Sequence, residues 1–229
     1  MIWVYLVLIL VGTVFFAFLT SNIGKGMIGE YQVGRVLKKL AYKYGGIEFH
    51  DFMFEDDKSS SQIDNMLLTQ KALYVIEVKN YKGMIFGNEQ HLNWTQTVKH
   101  VNQKKGRNGK KYYKTNITKH SFYNPVKQNK THINKIKNLT DIPDRIPVVN
   151  IVVFGKRAKL KNVSVDAPNY AIHYWEIKKL IDKLESGYTD IMHLNDQIEF
   201  VDTLFDINIM DKKRRKKHVK DLKMKYKKT

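Results

Sequence analysis

The chain contains no cysteine. That excludes a disulfide framework and any thiolate metal site, and it suits a reducing compartment. It has no G-x-x-x-x-G-K-S/T run, so no nucleotide-hydrolysing motor of that type is encoded. Its eight histidines show no H-x-E, no H-E-x-x-H and no paired spacing, and none is assigned to a metal. There is no internal repeat. Residues 1–20 carry no charged side chain at all.

What the chain has in excess is positive charge. Its 229 residues hold 40 Lys/Arg against 22 Asp/Glu, a formal net charge of +18. The excess is local. Residues 99–119 hold eight Lys/Arg and no acid, residues 212–229 hold eleven Lys/Arg and one acid, and the remainder is neutral. Two basic patches of this kind suit phosphate, on nucleic acid or on anionic lipid, while the bland alternative is a solvated loop and a solvated tail. The length allows one domain of ordinary size with appendages.

Residues 1–20, MIWVYLVLILVGTVFFAFLT, form an apolar run with Trp3 and Tyr5 near one end. Roughly 20 such residues at ~1.5 Å rise match a ~30 Å hydrocarbon layer. The run has no basic start and no good cleavage site, which favours a retained anchor over a signal peptide. Lys25, Arg35, Lys38 and Lys39 follow it, so the positive-inside rule places the rest in the cytoplasm. The expectation is a transmembrane anchor over 1–22, a domain over 25–206 and a basic tail over 207–229, held at the cell membrane as a single-pass protein. The tail, 212–229, would contact anionic lipid.

Apolar spacing over residues 26–44 predicts a helix with one buried stripe, stopped by Gly45-Gly46. Strands are expected at 47–54, 62–69 and 72–79, with short ones at GMIFG and HLNWTQT. Residues 99–119 suggest a hairpin around Asn108-Gly109. Asn124-Pro125 has the form of an N-cap followed by proline at the first helical position, opening a helix to about residue 139. PVVNIVVFG (147–155) is a strand buried on both faces, and YAIHYW (170–175) another. Helices at 176–185 and 189–204 close the domain. The order predicts an α/β or α+β fold with a mixed sheet.

The apolar segments QIDNMLL and LYVIEVK carry charge where a core strand wants none. Residues two apart on a strand share a face, so Glu77 and Lys79 point the same way. Antiparallel pairing through a turn near Gln70-Lys71 would bring Asp64 beside Glu77. Two carboxylates at such a junction are costly unless something positive sits between them, and a hard divalent cation takes oxygen ligands. Lys79 would add a mobile charge that holds a water or stabilises a phosphate. Glu30 shares the buried face of the first helix with Val33 and Leu37, which would aim it at the sheet. The competing structural readings are an ion pair at a strand end for Asp64, Glu77 and Lys79, and a first-turn helix acid for Glu30.

The segments GMIGEYQVGRVL, QIDNMLL, YVIEVKNYKGMIFG, Trp94, NPVKQN and VVNIVVFG, in that order, resemble the nuclease-related domain (NERD) family of the PD-(D/E)XK nuclease superfamily, over roughly residues 25–155. The resemblance implies a restriction-endonuclease-like α-β-β-β-α core with a mixed central sheet flanked by helices. It also implies Mg²⁺ or Mn²⁺ as cofactor, and sets Asp64, Glu77 and Lys79 on the superfamily's D…E-x-K positions. Glu30 matches the helix glutamate of that site, and Gln128 a polar residue on the following helix. Asp64, Glu77, the Val78 carbonyl and Glu30 would then hold metal, with Glu30, Asp64, Glu77, Lys79 and Gln128 as the catalytic set. Lys104, Lys105, Arg107, Lys110, Lys111 and Lys114 would contact nucleic acid, DNA in the first instance, with Tyr112 and Tyr113 able to stack on bases or to serve as cross-strand residues. The expected function is a membrane-anchored, metal-dependent phosphodiester hydrolase. The alternative is a non-catalytic membrane-tethered module that binds nucleic acid, lipid or a protein, since fold resemblance does not by itself establish activity.

Overall fold

Val33, Leu37, Leu40 and Ala41 follow the i, i+4, i+7, i+8 spacing of one helix face, and all four are buried. They lie on α2 (Asn22–Lys43), which follows α1 (Ile2–Thr20). The computed structural model describes residues 2–57, 59–105, 110–211, 213 and 215. Then come β1 (Ile47–Glu55), β2 (Ser60–Leu68), β3 (Leu73–Lys79), β4 (Gly83–Asn88), β5 (Asn93–Lys105) and β6 (Lys111–Tyr123). After these lie α3 (Pro125–Leu139), β7 (Val148–Phe154), β8 (Ala158–Ser164), β9 (Asn169–His173), α4 (Ile177–Gly187) and α5 (Leu194–Ile207).

The elements build a mixed α/β fold with two sheets. The five-stranded sheet has the order β1-β2-β3-β7-β9. Its first three strands are antiparallel, whereas β3, β7 and β9 run parallel. Leu73 and Val75 of β3 face a core completed by Ile133 and Ile136 of α3 and Phe200 and Leu204 of α5. Tyr74 and Ile76 face the other way, onto Val33 and Leu37 of α2 and Ile177 and Ile181 of α4. A strand covered on both faces reads as continuous apolar sequence, which is why LYVIEV stands out. Each fully buried aliphatic side chain such as Leu37 contributes about 1.5–3 kcal/mol.

The second sheet has the order β6-β5-β4-β8. It meets the first through a small core of Ile85, Trp94, Val126 and Phe154. Trp94 is fully buried, stacks on Phe154 with ring centroids 6.2 Å apart, and donates its indole N–H to the Asn88 carbonyl. A Cβ at Gly87 would come within 2.3 Å of that indole, so only glycine lets the ring lie flat there.

The structure corrects two expectations. The single central sheet is replaced by two sheets. Both sides of β3 are taken, by β2 and β7, so the strand that follows β3 does not pair beside it and β4 starts a second sheet. That second sheet includes β8, which the sequence reading passed over because of its segment AKLKNVS only Ala158 is buried. The second correction concerns the membrane. Among the described residues no helix is long and apolar enough to cross a membrane. α1 covers 19 residues, roughly 28 Å at ~1.5 Å rise against a hydrocarbon layer of ~30 Å. The anchor over 1–22 is not supported, and the single-pass cell-membrane placement that rested on it goes with it.

The basic excursion is longer than expected. β5 and β6 pair over thirteen rungs, from Asn93↔Tyr123 to Lys105↔Lys111, absorbing the short strand read at HLNWTQT. Beyond Val98 the ribbon is largely exposed on both faces. Its turn, with Arg107, lies outside the described residues. So does most of the 212–229 tail expected to touch lipid. Residues just before it dock on β1, where Ile209 N–H donates to the Met53 carbonyl at 2.6 Å. Arg215 pairs with the Asp51 carboxylate and donates to the Asp51 carbonyl at 2.8 Å.

Candidate active site

β2 and β3 pair antiparallel up to Asn65↔Ile76. One rung further, the same register sets Asp64 opposite Glu77. Strand alternation puts Asp64, Glu77 and Lys79 on the α3 face of the sheet. The Val78 N–H donates to Asp64 Oδ2 at 2.7 Å, so Val78 enters the site through its amide. Lys79 Nζ lies 2.6 Å from Glu77 Oε1. The Glu77 and Lys79 side chains are only 5% and 17% exposed, which makes this an interior ion pair and not a surface one.

Gln128 closes the group from α3. Its Nε2 donates to Glu77 Oε1 at 2.8 Å, and its Oε1 accepts from Lys79 at 3.1 Å. The helix is placed there by its cap. Asn124 Oδ1 accepts from the Val126 N–H at 3.0 Å, and Pro125 takes the first helical position, as the sequence predicted. The Asn124 amide also donates to the carbonyls of Asn88, Glu89 and His91, which ties α3 to the turn between β4 and β5.

A buried amide ladder, absent from the sequence reading, fixes the helix laterally. Asn129 donates to the Val75 carbonyl and to Asn150 Oδ1, each at 2.8 Å. Asn150 in turn donates to the Val126 carbonyl and to Asn169. The signal was visible, since Asn150 interrupts the apolar run VVNIVVF. Asn129 Oδ1 accepts no hydrogen bond among the described residues, but the bonds donated by the Asn129 and Asn150 amides tie α3 to β3 and β7.

The electrostatics follow from burial. The Asp64 carboxyl is pushed well above the usual carboxylate range, first by burial and then by the charge of Glu77. Burial pulls Lys79 down, but the charge and hydrogen bond of Glu77 outweigh it and hold the ammonium above its ordinary value. Glu30, half-buried on α2, is raised by burial, although His50 draws it down. From α2 it interacts electrostatically with Glu77, Lys79 and Asp64. Near it the sequence reading missed a second polar cluster. Asn65, fully buried beside Gly34, lies 2.9 Å from His50 Nδ1 and donates to Glu48 at 3.5 Å.

Among the described residues, no group of three or more His, Asp or Glu side chains stands where it could hold a metal ion. The donor set is therefore two carboxylates, not three. Asp64 Oδ1 and Glu77 Oε2 accept no hydrogen bond from the described residues, which leaves one oxygen of each free. That fits a hard dication of the Mg²⁺ type, which is commonly held by one or two carboxylates and completes its shell with water and substrate phosphate. A positive charge between the two would also relieve the strain that raises Asp64.

The basic residues Lys104, Lys105, Lys110, Lys111 and Lys114 are all exposed on the β5–β6 ribbon. The register divides them. Lys104 faces Tyr112 and Asn102 faces Lys114 on one side, while Lys105 faces Lys111 on the other. The ribbon is rooted beside the carboxylates. Phe122 at its base packs edge-on against Tyr81, two residues past Lys79, with centroids 4.7 Å apart.

Known proteins bear on this geometry. Residues 25–155 match the nuclease-related domain (NERD). An uncharacterized protein of Bacillus anthracis is 32% identical over 204 residues, covering 88% of this chain and 85% of that protein. Among solved structures, Can2 from Sulfobacillus thermosulfidooxidans in complex with cyclic tetra-adenylate is 14% identical with a TM-score of 0.31. That match covers 69% of this chain and 35% of Can2, so the chain spans about a third of its length. A domain match over more than half the residues, with a relative along nearly the whole chain, makes this protein a member of the nuclease-related domain family, one of the PD-(D/E)XK-like nucleases.

Proposed function

We propose that the protein hydrolyses phosphodiester bonds in nucleic acid, DNA in the first instance, with Mg²⁺ or Mn²⁺ held by Asp64 and Glu77. The observation that carries this reading is the single rung on which Asp64 and Glu77 face each other, with Lys79 bonded to Glu77 and Gln128. A bound dication would supply Lewis acidity toward the phosphoryl oxygens.

Lys79 keeps its proton at neutral pH and offers an ammonium beside the carboxylates. There it orients a water or meets charge that grows on the phosphate. Gln128 is a positioning residue: its amide spans Lys79 and Glu77 and keeps the ammonium from swinging away. Glu30 would hold a ligand water from the α2 side. The exposed lysines of the β5–β6 ribbon would neutralise backbone phosphates, with Tyr112 and Tyr113 available for stacking.

The test is cleavage of plasmid and of single-stranded DNA with Mg²⁺, with Mn²⁺ and with chelator. The full chain should cleave only with the metals. Asp64→Ala and Glu77→Ala should lose both cleavage and metal binding, and Lys79→Ala should lose cleavage by at least about a hundredfold while retaining the metal. Nucleic-acid binding without cleavage in either metal would overturn the hydrolytic reading and leave a binding module on a nuclease scaffold.

A further inference from the structure

The carboxyl ends of parallel strands β3 and β7 border a cleft of about 280 Å³. Gly29 and Gln32 of α2 line it together with Gly155, Lys156 and Arg157 of the turn between β7 and β8. Ligands of open α/β sheets bind in such crevices at the carboxyl ends of the strands. Val33, Val78 and Val153 supply apolar lining. Lys156 and Arg157 are the charged residues of the lining, and no carboxylate belongs to it.

The turn that carries these cations is tied down. Its Gly155 N–H donates to the Lys79 carbonyl at 3.2 Å, and the Gly83 N–H donates to the Arg157 carbonyl at 3.0 Å. A Cβ at Gly155 would come within 2.5 Å of Asn80 Oδ1, so glycine there lets the turn close onto the end of β3. The Ala158 N–H donates to the Gly155 carbonyl at 3.1 Å, which makes Lys156 and Arg157 the two central residues of a four-residue turn. Their own N–H groups donate to no group among the described residues. One short segment therefore carries an ammonium, a guanidinium and two successive amide donors, and successive backbone N–H groups in a turn are a recurrent cradle for anions.

The charge on this turn is uncompensated. Lys135 and Arg145 pair with Asp56 and Asp196. Lys156 and Arg157 form no such pair among the described residues, although like charges side by side repel. A cleft lined by charge of one sign focuses the field and concentrates counter-ions. Two cations match a phosphate monoester, which carries about −1.5 to −2 at neutral pH. The guanidinium meets its oxygens with two parallel donors. The valines beside the cations suit the carbon side of an ester.

We propose that this cleft binds a phosphate monoester, its oxygens on Arg157 and Lys156 and its carbon side against the apolar lining. The ester is either a small free molecule or the phosphorylated end of a nucleic-acid strand. The site does not depend on hydrolysis at Asp64 and Glu77, and its test runs in chelator, where cleavage is off.

Two matched pairs of probes should be titrated into the full chain by calorimetry. One pair is ribose 5-phosphate and ribose. The other is an oligonucleotide of about six residues with and without a 5′-phosphate, so that attraction of the strand to the basic ribbon cancels. In at least one pair the phosphorylated member should bind saturably and at least about tenfold more tightly than its partner. Arg157→Gln and Lys156→Gln should each reduce that preference about tenfold. Lys159→Gln/Lys161→Gln removes two exposed cations from neighbouring β8, outside the cleft lining, and should leave the preference within about twofold of the parent. Lys156 and Arg157 are exposed, so unchanged melting of their variants confirms that they fold. Binding of ribose 5-phosphate identifies a small free ester as the ligand, and a preference in the oligonucleotide pair alone identifies a strand end. A phosphate preference below about twofold in both pairs, or a β8 variant that loses as much as the turn variants, overturns the proposal.

Discussion

Asp64 and Lys79 both adjoin Glu77 but answer to opposite physics. Asp64 is a carboxyl whose folded pKa is raised by burial and by Glu77. The folded state therefore holds its proton to higher pH than the unfolded chain does. Stability from this group is full at low pH and is lost as pH rises through the folded value. Lys79 instead neutralises the carboxylate of a buried side chain, that of Glu77. In chelator at neutral pH, Asp64→Asn should melt above the parent and show a flatter fall of stability with rising pH. Lys79→Ala should melt below the parent by roughly 3 kcal/mol or more, because it strands Glu77. Excess Mg²⁺ at a hundred times its dissociation constant should restore about 2.7 kcal/mol to the parent and nothing to Asp64→Asn. Thermal melts across pH with Mg²⁺ or chelator read all three, and a destabilised Asp64→Asn in chelator would remove the metal-site argument. Most of this site was legible because alternation fixes which side chains share a face, and charge inside an apolar strand needs a reason. Gln128 was legible only by resemblance. Asn65 and Asn129 were not, since nothing local distinguishes a buried amide from a solvated one.

At the scale of elements, α3 shows what capping can do beyond ending a helix. Asn124 uses its oxygen for the cap and its amide nitrogen for three carbonyls of the β4–β5 turn. Asn124→Ala should cost roughly 2–4 kcal/mol, combining a lost cap with carbonyls left unsatisfied. Asn124→Asp restores the cap acceptor but turns an anion toward those carbonyls. It should be no more stable than the alanine variant in urea unfolding, and recovery of more than half the loss would mean that the cap dominates. The Asn-Pro signal that opens α3 is local chemistry and survives in sequence. β8 left no such signal, because an edge strand that is mostly exposed has no apolar alternation to read. The hairpin expected over 99–119 is present, but its length was not legible: beyond Val98 both faces are wet, and nothing in that stretch showed that the pairing runs on to Asn93 and Tyr123 as one thirteen-rung ribbon.

The whole molecule carries +18 of formal charge, and the fold decides where that charge can act. A linear count assigns the ribbon's lysines to one patch, but pairing splits them between two faces. Trp94 and Phe122 share a rung at the ribbon's root, and alternation carries their face outward to Lys104, Tyr112 and Lys114. Phe122 packs on Tyr81 beside Lys79, so a strand seated at the carboxylates would continue along that face and not along the side of Lys105 and Lys111. Duplex binding loses about 0.9 in log–log salt slope for each phosphate contact removed. The double variant Lys104→Gln/Lys114→Gln should therefore flatten the slope by about 1.8, and Lys105→Gln/Lys111→Gln, with the same change in net charge, should leave it within about 0.5. Anisotropy titrations in chelator between about 50 and 200 mM salt separate the two. Equal flattening by both pairs would mean that the ribbon attracts nucleic acid only through its total charge, with neither face aligned to the site.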